Sequence, residues 1–392
     1  MLSTGYSGWR SLVILRQYSG VVLYLLTGAI VAVIGLSLND IPVYEGLVNA
    51  ARDLHAGEDV FARDNGWYKY SPAFATMMTP FLWLPTSLGA TIWILLNFGI
   101  SGLALHIALP EQRRLPTMVL ALFGIVLVTS TDQANLLIGG LMLLGMTLYL
   151  RNQDRWAAAA IVLGTSIKIF PAVAGIWALK SLTPVKALSA LAVLTATAVL
   201  SPLLVTSPTN AFAQYEAWLT MTGTDYSWRK AWSLSRMMME FGLELPAIIV
   251  EMTIVAIAVL PILVRSQFFS QRQRLIAIAS VLIMVTLANH KSEEQTYVIA
   301  AMGAGLWYAA GPRRRWRLAL VLVAMISLAP FYPAPGGIPA DLYEMLTVGR
   351  PFFPTRLLPF VLLAAIMQLE LWRLEVTVPL EDVDRNSRER VV

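Results

Sequence analysis

The feature that most constrains this chain is an unbroken apolar run of 21 residues, Tyr18 to Leu38, which stops abruptly at Asn39 and Asp40. That length matches the roughly 20 helical residues needed to cross hydrocarbon. It is too long for the core of a signal peptide and lacks a small-residue cleavage site, so it reads as a retained anchor. Similar apolar segments recur along the chain, separated by short charged loops. Only 14% of residues are charged and 57% are hydrophobic, against about 25% charged in a soluble domain. The solvent is therefore a bilayer, where backbone polar groups must be satisfied within their own segment, and the expected class is an all-α integral membrane bundle.

Charge sets the orientation. Lys and Arg cluster at Arg10–Arg16, Arg113–Arg114, Arg151–Arg155, Lys180–Lys186, Arg265–Arg274, Arg313–Arg317 and in the tail from Arg373, which together hold 19 of the 29. By the positive-inside rule these loops face the cytoplasm of a plasma (inner) membrane, and both termini lie inside. Topology thus accounts for most of the basic pI of 9.4, and nucleic acid is not an expected partner. The absence of cysteine excludes a disulfide framework, a thiolate nucleophile and Cys-ligated metal. No phosphate loop, dinucleotide fingerprint or HExxH motif is present.

Parity adds two features. Asp40 is outside and Arg113 inside, yet two apolar segments, 72–84 and 86–109, lie between them. Only one can span. The first has about 13 residues, roughly 20 Å of helix, and contains Pro80, so a re-entrant helix dipping into the outer leaflet is expected. Likewise Arg155 and Lys180 are both inside, so the chain must go out and back between them, turning at Lys168-Ile169-Phe170-Pro171. A lysine recessed at that turn is costly unless it faces water or an anion. The expected crossings are twelve: 17–38, 86–109, 116–130, 133–150, 155–168, 170–182, 185–206, 246–264, 274–289, 295–310, 317–332 and 355–372. They form one lipid-embedded unit with an N-terminal module (1–206), a C-terminal transmembrane module (207–372) and a cytoplasmic tail (373–392).

The external segments carry the polar chemistry. The first loop holds Asp40, Glu45, Asp53, Glu58, Asp59 and Asp64 with Tyr44, Phe61, Trp67, Tyr68 and Tyr70. Val43, Leu47, Ala50, Ala51 and Leu54 recur at helical spacing, which predicts an amphipathic helix lying on the interface. The loop 207–245 adds Trp218, Trp228, Arg229, Lys230, Trp232 and Arg236, and His290-Lys291-Ser292-Glu293-Glu294 forms a charged turn. Structural alternatives stand beside each: Asp40 could cap the helix that starts at Pro42, Lys168 could pair with Asp132 for packing, and the tryptophans could be interfacial anchors.

Four segments carry a resemblance. "NDIPVYEGLVNAARDLHAGEDVF" resembles the opening Asp, Tyr, small-residue helix and Gly of glycosyltransferase family 87. "WYKYSPAFATMMTPFLWLP" is similar to its Tyr-Pro-Pro segment, with Ser71 in place of the first Pro. "DQANLLIGGLML" and "AAIVLGTSIKIFP" resemble its Gln-x-Asn-Leu and Lys-aliphatic-x-Pro elements. The resemblance covers residues 38–182 well and the remainder loosely. It implies a GT-C fold, a polyprenyl-phosphate sugar as donor, and Asp40 as catalytic base. Two elements depart from the pattern, Ala231-Trp232-Ser233-Leu234 and "NHKSEEQTY", both where sugar or acceptor is chosen.

A hydroxyl attacking an anomeric carbon needs a positioned base, which Asp40 can supply. A phosphate leaving group needs positive charge rather than a general acid. Lys168 is the foremost candidate, with Arg229, Lys230, His290 and Lys291 as further donors. Tyr44, Tyr70, Asp132, Asn135, Trp232 and Glu293 are candidates to contact sugar or acceptor. The expected function is inverting transfer of a sugar, mannose favoured, from a polyprenyl-phosphate donor to a glycolipid or glycan acceptor on the external face. The alternative is a transporter or flippase of lipid-linked sugars, against which the sequence shows no clear inverted repeat. No cofactor is expected beyond the lipid-linked donor, and the sequence leaves any divalent metal open.

Overall fold

The computed structural model describes residues 5–62, 68–128, 133–224, 232–328 and 353–373. Among them every regular element is a helix. The long apolar run forms α1 (Gly5–Ser37). Its end is set by Asn39, which adopts φ +52, so that the amides of Asn39 and Asp40 turn back to the carbonyls of Leu36 and Gly35. This is the Schellman arrangement, in which a left-handed residue redirects the chain. Two residues later α2 (Pro42–Ala56) begins with Pro in its first turn and buries Tyr44, Leu47, Ala50, Ala51 and Leu54. That is the expected apolar stripe except that Tyr44 is buried and Val43 only partly so, and Asp53 is buried with it.

The segment after it differs from expectation. Instead of one dipping helix over 72–84, the chain makes the short α3 (Pro72–Met77) and then a separate 3-10 turn, Thr79–Trp83. A continuous α-helix would drive the ring of Pro80 against the carbonyl of Thr76, so the helix stops first. Next come α4 (Thr86–Ala108), α5 (Glu111–Val128), α6 (Asn135–Leu150) and α7 (Asp154–Ile167). A 3-10 helix, Phe170–Lys180, follows the Lys168 turn. The remainder comprises α8 (Pro184–Leu200), α9 (Pro208–Thr224), α10 (Leu234–Glu240), α11 (Ala247–Arg265), α12 (Gln271–Ala288), α13 (Tyr297–Ala310), α14 (Arg315–Ile326) and α15 (Phe353–Trp372).

The core is the packed set α6, α12 and α13, which are buried on nearly every side. Helices that are apolar all round belong in such a position. Small residues bring them close to their neighbours. A Cβ at Gly140 would meet the Ser101 backbone at 2.9 Å, and one at Gly303 would meet the Ala279 carbonyl at 2.9 Å, the close approach that membrane helices exploit. By contrast α8 and α11 turn Val193, Leu200, Ile248 and Met252 outward. Among the described residues, five helical segments have the length and composition to cross a membrane: Gln17–Ser37, Thr86–Ala108, Pro184–Leu204, Ala247–Phe268 and Gln271–Ala288. Of the other expected crossings, 116–130 and 355–372 fall on α5 and α15, with 18 and 20 residues, 170–182 falls on the 3-10 helix, and the rest fall on shorter helices.

Candidate active site

Lys168 lies where α7 ends and the chain becomes extended before Pro171. Its ammonium donates to Asn135 Oδ1 at 3.1 Å and sits 5.6 Å from the centre of the Tyr70 ring. The Glu293 carboxylate and the Lys69 ammonium act on it with opposite sign. Asn135 opens α6 and is almost wholly buried at 1% exposure. Its amide nitrogen is buried without a hydrogen-bond partner, which leaves an unused donor beside the lysine.

Neighbouring helices hold this corner. Asn97 on α4 accepts the Leu137 amide at 3.0 Å, and Ser101 donates to the Leu136 carbonyl at 2.7 Å, so the start of α6 is fastened to α4. Ser71 caps α3 by accepting the Phe74 amide and donates its hydroxyl proton to the Ser166 carbonyl, two residues before Lys168. A proline here could do neither. The departure noted at Ser71 therefore ties α3 directly to the end of α7.

Asp40 is exposed at the junction of α1 and α2. The position that caps α2 is Ile41, whose side chain makes no cap bond. A run of touching rings links the two regions: Tyr44–Phe81 (6.0 Å), Phe81–Trp93 (6.3 Å), Trp93–Phe74 (5.9 Å), Phe74–Tyr70 (5.4 Å) and Tyr70–Tyr68 (5.6 Å). Edge and offset contacts of this kind are favourable and stiff. They connect the helix that follows Asp40 with the ring beneath Lys168. Outside this wall, Glu45, Asn49, Arg52 and Thr86 line a groove of about 190 Å³ together with Tyr44 and Phe81.

The opposite wall is built from the α12–α13 turn. The Trp232 amide donates to the Ser292 carbonyl at 2.6 Å and its own carbonyl accepts Tyr297 Oη at 2.7 Å. Glu293 uses its carboxylate to cap the turn Glu294–Thr296. Lys291 Nζ donates to the Thr222 carbonyl at 2.8 Å, and His290 is bound to Glu251. Thus Lys168, Asn135 and Tyr70 come together, with the charge of Glu293 acting on the lysine from the α12–α13 turn, whereas Lys291 and His290 have protein partners of their own. Asp132, Arg229 and Lys230 lie outside the described residues.

Two groups, Arg356 and Glu251, escaped the sequence reading, and Glu294 figured in it only as part of the charged turn. Arg356 on α15 stacks 5.2 Å over the Trp232 ring. Glu294 beside it is pushed upward in pKa by burial, against the pull of Arg356, and one of its carboxylate oxygens is buried without a hydrogen-bond partner. Glu251 stands on an otherwise apolar helix. For Glu251 and Arg356 the signal was an ionisable residue inside a span, which is a functional pointer by default.

A model of glycosyltransferase family 87 matches residues 67–289, more than half of the chain. The chain belongs to this family. It is accordingly a membrane glycosyltransferase, and its action requires a sugar donor, an acceptor and the bilayer. The family match includes Tyr70, Asn135, Lys168 and Glu251; Asp40 and Tyr44 precede it, and His290 follows it. No curated protein and no solved structure matches the chain significantly.

Proposed function

We propose that this family 87 glycosyltransferase transfers a sugar, with mannose favoured, from a polyprenyl-phosphate donor to a glycolipid or glycan acceptor on the external face of the plasma membrane. The observation that carries the reading is the Lys168 corner: a cation whose nearest partner is a neutral amide oxygen, beside the start of α6 and an unused buried donor on Asn135. Positive charge, spare N–H groups and a helix N-terminus converging on one place suit a phosphate. In the reaction the acceptor oxygen attacks the anomeric carbon as the bond from that carbon to the phosphate oxygen breaks. The bonding pair leaves with the phosphate, the anomeric centre inverts, and the acceptor proton passes to Asp40. Lys168 offsets the charge that accumulates on the departing polyprenyl phosphate. Tyr44 and the groove beside it, on the helix that Asp40 introduces, border the acceptor side, and the exposed apolar faces of the outer helices accommodate lipid tails. The reading calls for no cofactor beyond the donor.

The test is turnover of polyprenyl-phosphate mannose by purified enzyme in lipid micelles. Lys168→Met keeps most of the side chain's length and removes its charge, and Asp40→Asn keeps shape and removes the base. Each should slow transfer about 100-fold or more with little change in melting temperature. Wild-type rates in Asp40→Asn would remove the base assignment. If the wild-type protein moved lipid-linked sugar between leaflets without transferring it, the enzyme reading would fail in favour of a transporter.

A further inference from the structure

The turn between α12 and the 3-10 segment Glu294–Thr296 is largely closed by its own bonds. The Ser292 amide donates to the Asn289 carbonyl at 2.9 Å, Ser292 Oγ to the Thr286 carbonyl at 2.7 Å, and the Lys291 amide to Asn289 Oδ1 at 3.1 Å. His290 is gripped from outside the turn through both its backbone and its ring. Glu251 Oε1, on α11, accepts the His290 backbone amide at 2.6 Å and bonds ring Nδ1 at 2.5 Å. One oxygen therefore fixes both the residue and its ring.

Glu251 stands in a segment with the composition of a full membrane crossing, and its side chain is only 19% exposed. A carboxylate there carries a high desolvation cost, and the turn itself does not need it to close. An ionised carboxylate can only accept, so the hydrogen of this contact resides on Nδ1 and Nε2 is the nitrogen left to a ligand. The same turn carries Glu293, whose charge acts on Lys168, so the turn that holds His290 also borders the phosphate corner.

We infer that Glu251 is a positioning residue for transfer: it anchors His290 so that Nε2 is the ring nitrogen offered to the donor phosphate. The inference rests on the proposed role of His290 as a phosphate contact. A carboxylate behind a functional histidine is a common way to fix tautomer and ring orientation. The competing explanation is that the pair merely staples α11 to the end of α12.

A double-mutant cycle on the full-length enzyme separates the two, read as release of polyprenyl phosphate from polyprenyl-phosphate mannose. Glu251→Gln retains an oxygen for the backbone amide of His290, but its NH2 group can also donate to Nδ1, so the tautomer is no longer fixed. It should lower kcat on the order of 10-fold, leave the donor KM and the melting temperature nearly unchanged, and be partly rescued in Glu251→Asp. On a His290→Gln background the same change should cost nothing further, because the residues act as one unit. If the two losses multiply, or Glu251→Gln lowers the melting temperature while kcat per folded molecule stays at the wild-type value, the pair is a staple and the inference is overturned, while the reading of His290 survives. If His290→Gln alone turns over at the wild-type rate, that reading falls, and the inference with it.

Discussion

The two ends of the α12–α13 hairpin treat buried charge in opposite ways. At the α13–α14 junction Arg317 is 1% exposed. Its Nη1 donates to Glu370 Oε1 and its Nη2 to the Trp307 carbonyl, both at 2.7 Å, and the guanidinium stacks 3.7 Å over the Trp307 ring. Arg272 meets the other oxygen of Glu370 at 3.1 Å, and Arg113 donates to the carbonyls of Ala309 and Gly311. Arg317 Nε lacks a partner, yet the head is locked by both terminal nitrogens. At the other end Lys168 has a single neutral acceptor, and Asn135 and Glu294 each keep a buried atom without a partner. At the Arg317 end the charges are paired with one another and with carbonyls, because an unpaired buried charge is costly, although Arg317 Nε and Trp307 Nε1 stay without a hydrogen bond. At the Lys168 end the hydrogen-bond partner of the cation is neutral.

Exchanging the consequences is the strongest way to break this comparison. Arg317→Met strands Glu370 with only Arg272 and should cost on the order of 3 kcal/mol of stability, as loss of one partner of a buried pair does. Transfer per folded molecule should stay near the wild-type value. Lys168→Met should do the reverse. A melting curve and an initial rate on each variant decide it: a catalytic loss in Arg317→Met at full stability, or a large stability loss in Lys168→Met, would erase the distinction.

Ser71 sharpens it with a smaller effect. Because this hydroxyl caps α3 and also donates to the Ser166 carbonyl, Ser71→Ala should cost about 1 kcal/mol as a lost cap. It should also slow transfer several-fold by loosening the end of α7. Ser71→Thr, which keeps the hydroxyl, should recover most of the rate. Equal rates in the alanine and threonine variants would show that Lys168 is positioned without this bond.

Much of this molecule can be read from its sequence where a single physical constraint dominates. The apolar run ending at Asn39, the amphipathic stripe of α2 and the turn at Lys168-Ile169-Phe170-Pro171 each follow from period, length or proline chemistry, and each has its counterpart in the structure. Over 72–84 the expectation of a single helix fails, because Pro80 divides the segment into α3 and a 3-10 turn. What stayed hidden is pairing across the chain. Nothing local tells that Ser71 reaches Ser166, that Asn135 meets Lys168, or that Arg356 lies over Trp232. Glu251 was visible as a carboxylate in an apolar helix, but its partner 39 positions on is set by how α11 packs on α12.

The smallest expected effect concerns Glu294, and its sign is opposite to that of a glutamate at the other end. Burial holds the Glu294 carboxyl above its ordinary value of 4.5, with Arg356 opposing the shift. A raised folded-state pKa means that ionisation costs more in the folded protein than in the unfolded chain. The associated stability is fully present below the unfolded value and declines as pH rises through the folded one. Glu294→Gln stays neutral throughout, so its melting temperature should fall less than that of the wild-type protein between about pH 4.5 and neutrality, and the variant should be slightly the more stable at pH 7. Glu370→Gln, which removes the charge shared by Arg317 and Arg272, should instead be less stable at pH 7. Thermal scans of both variants across that range test the contrast. A Glu294→Gln protein destabilised at neutral pH would mean that the attraction of Arg356 outweighs burial, and that this end of the bundle, too, is held together by its charges.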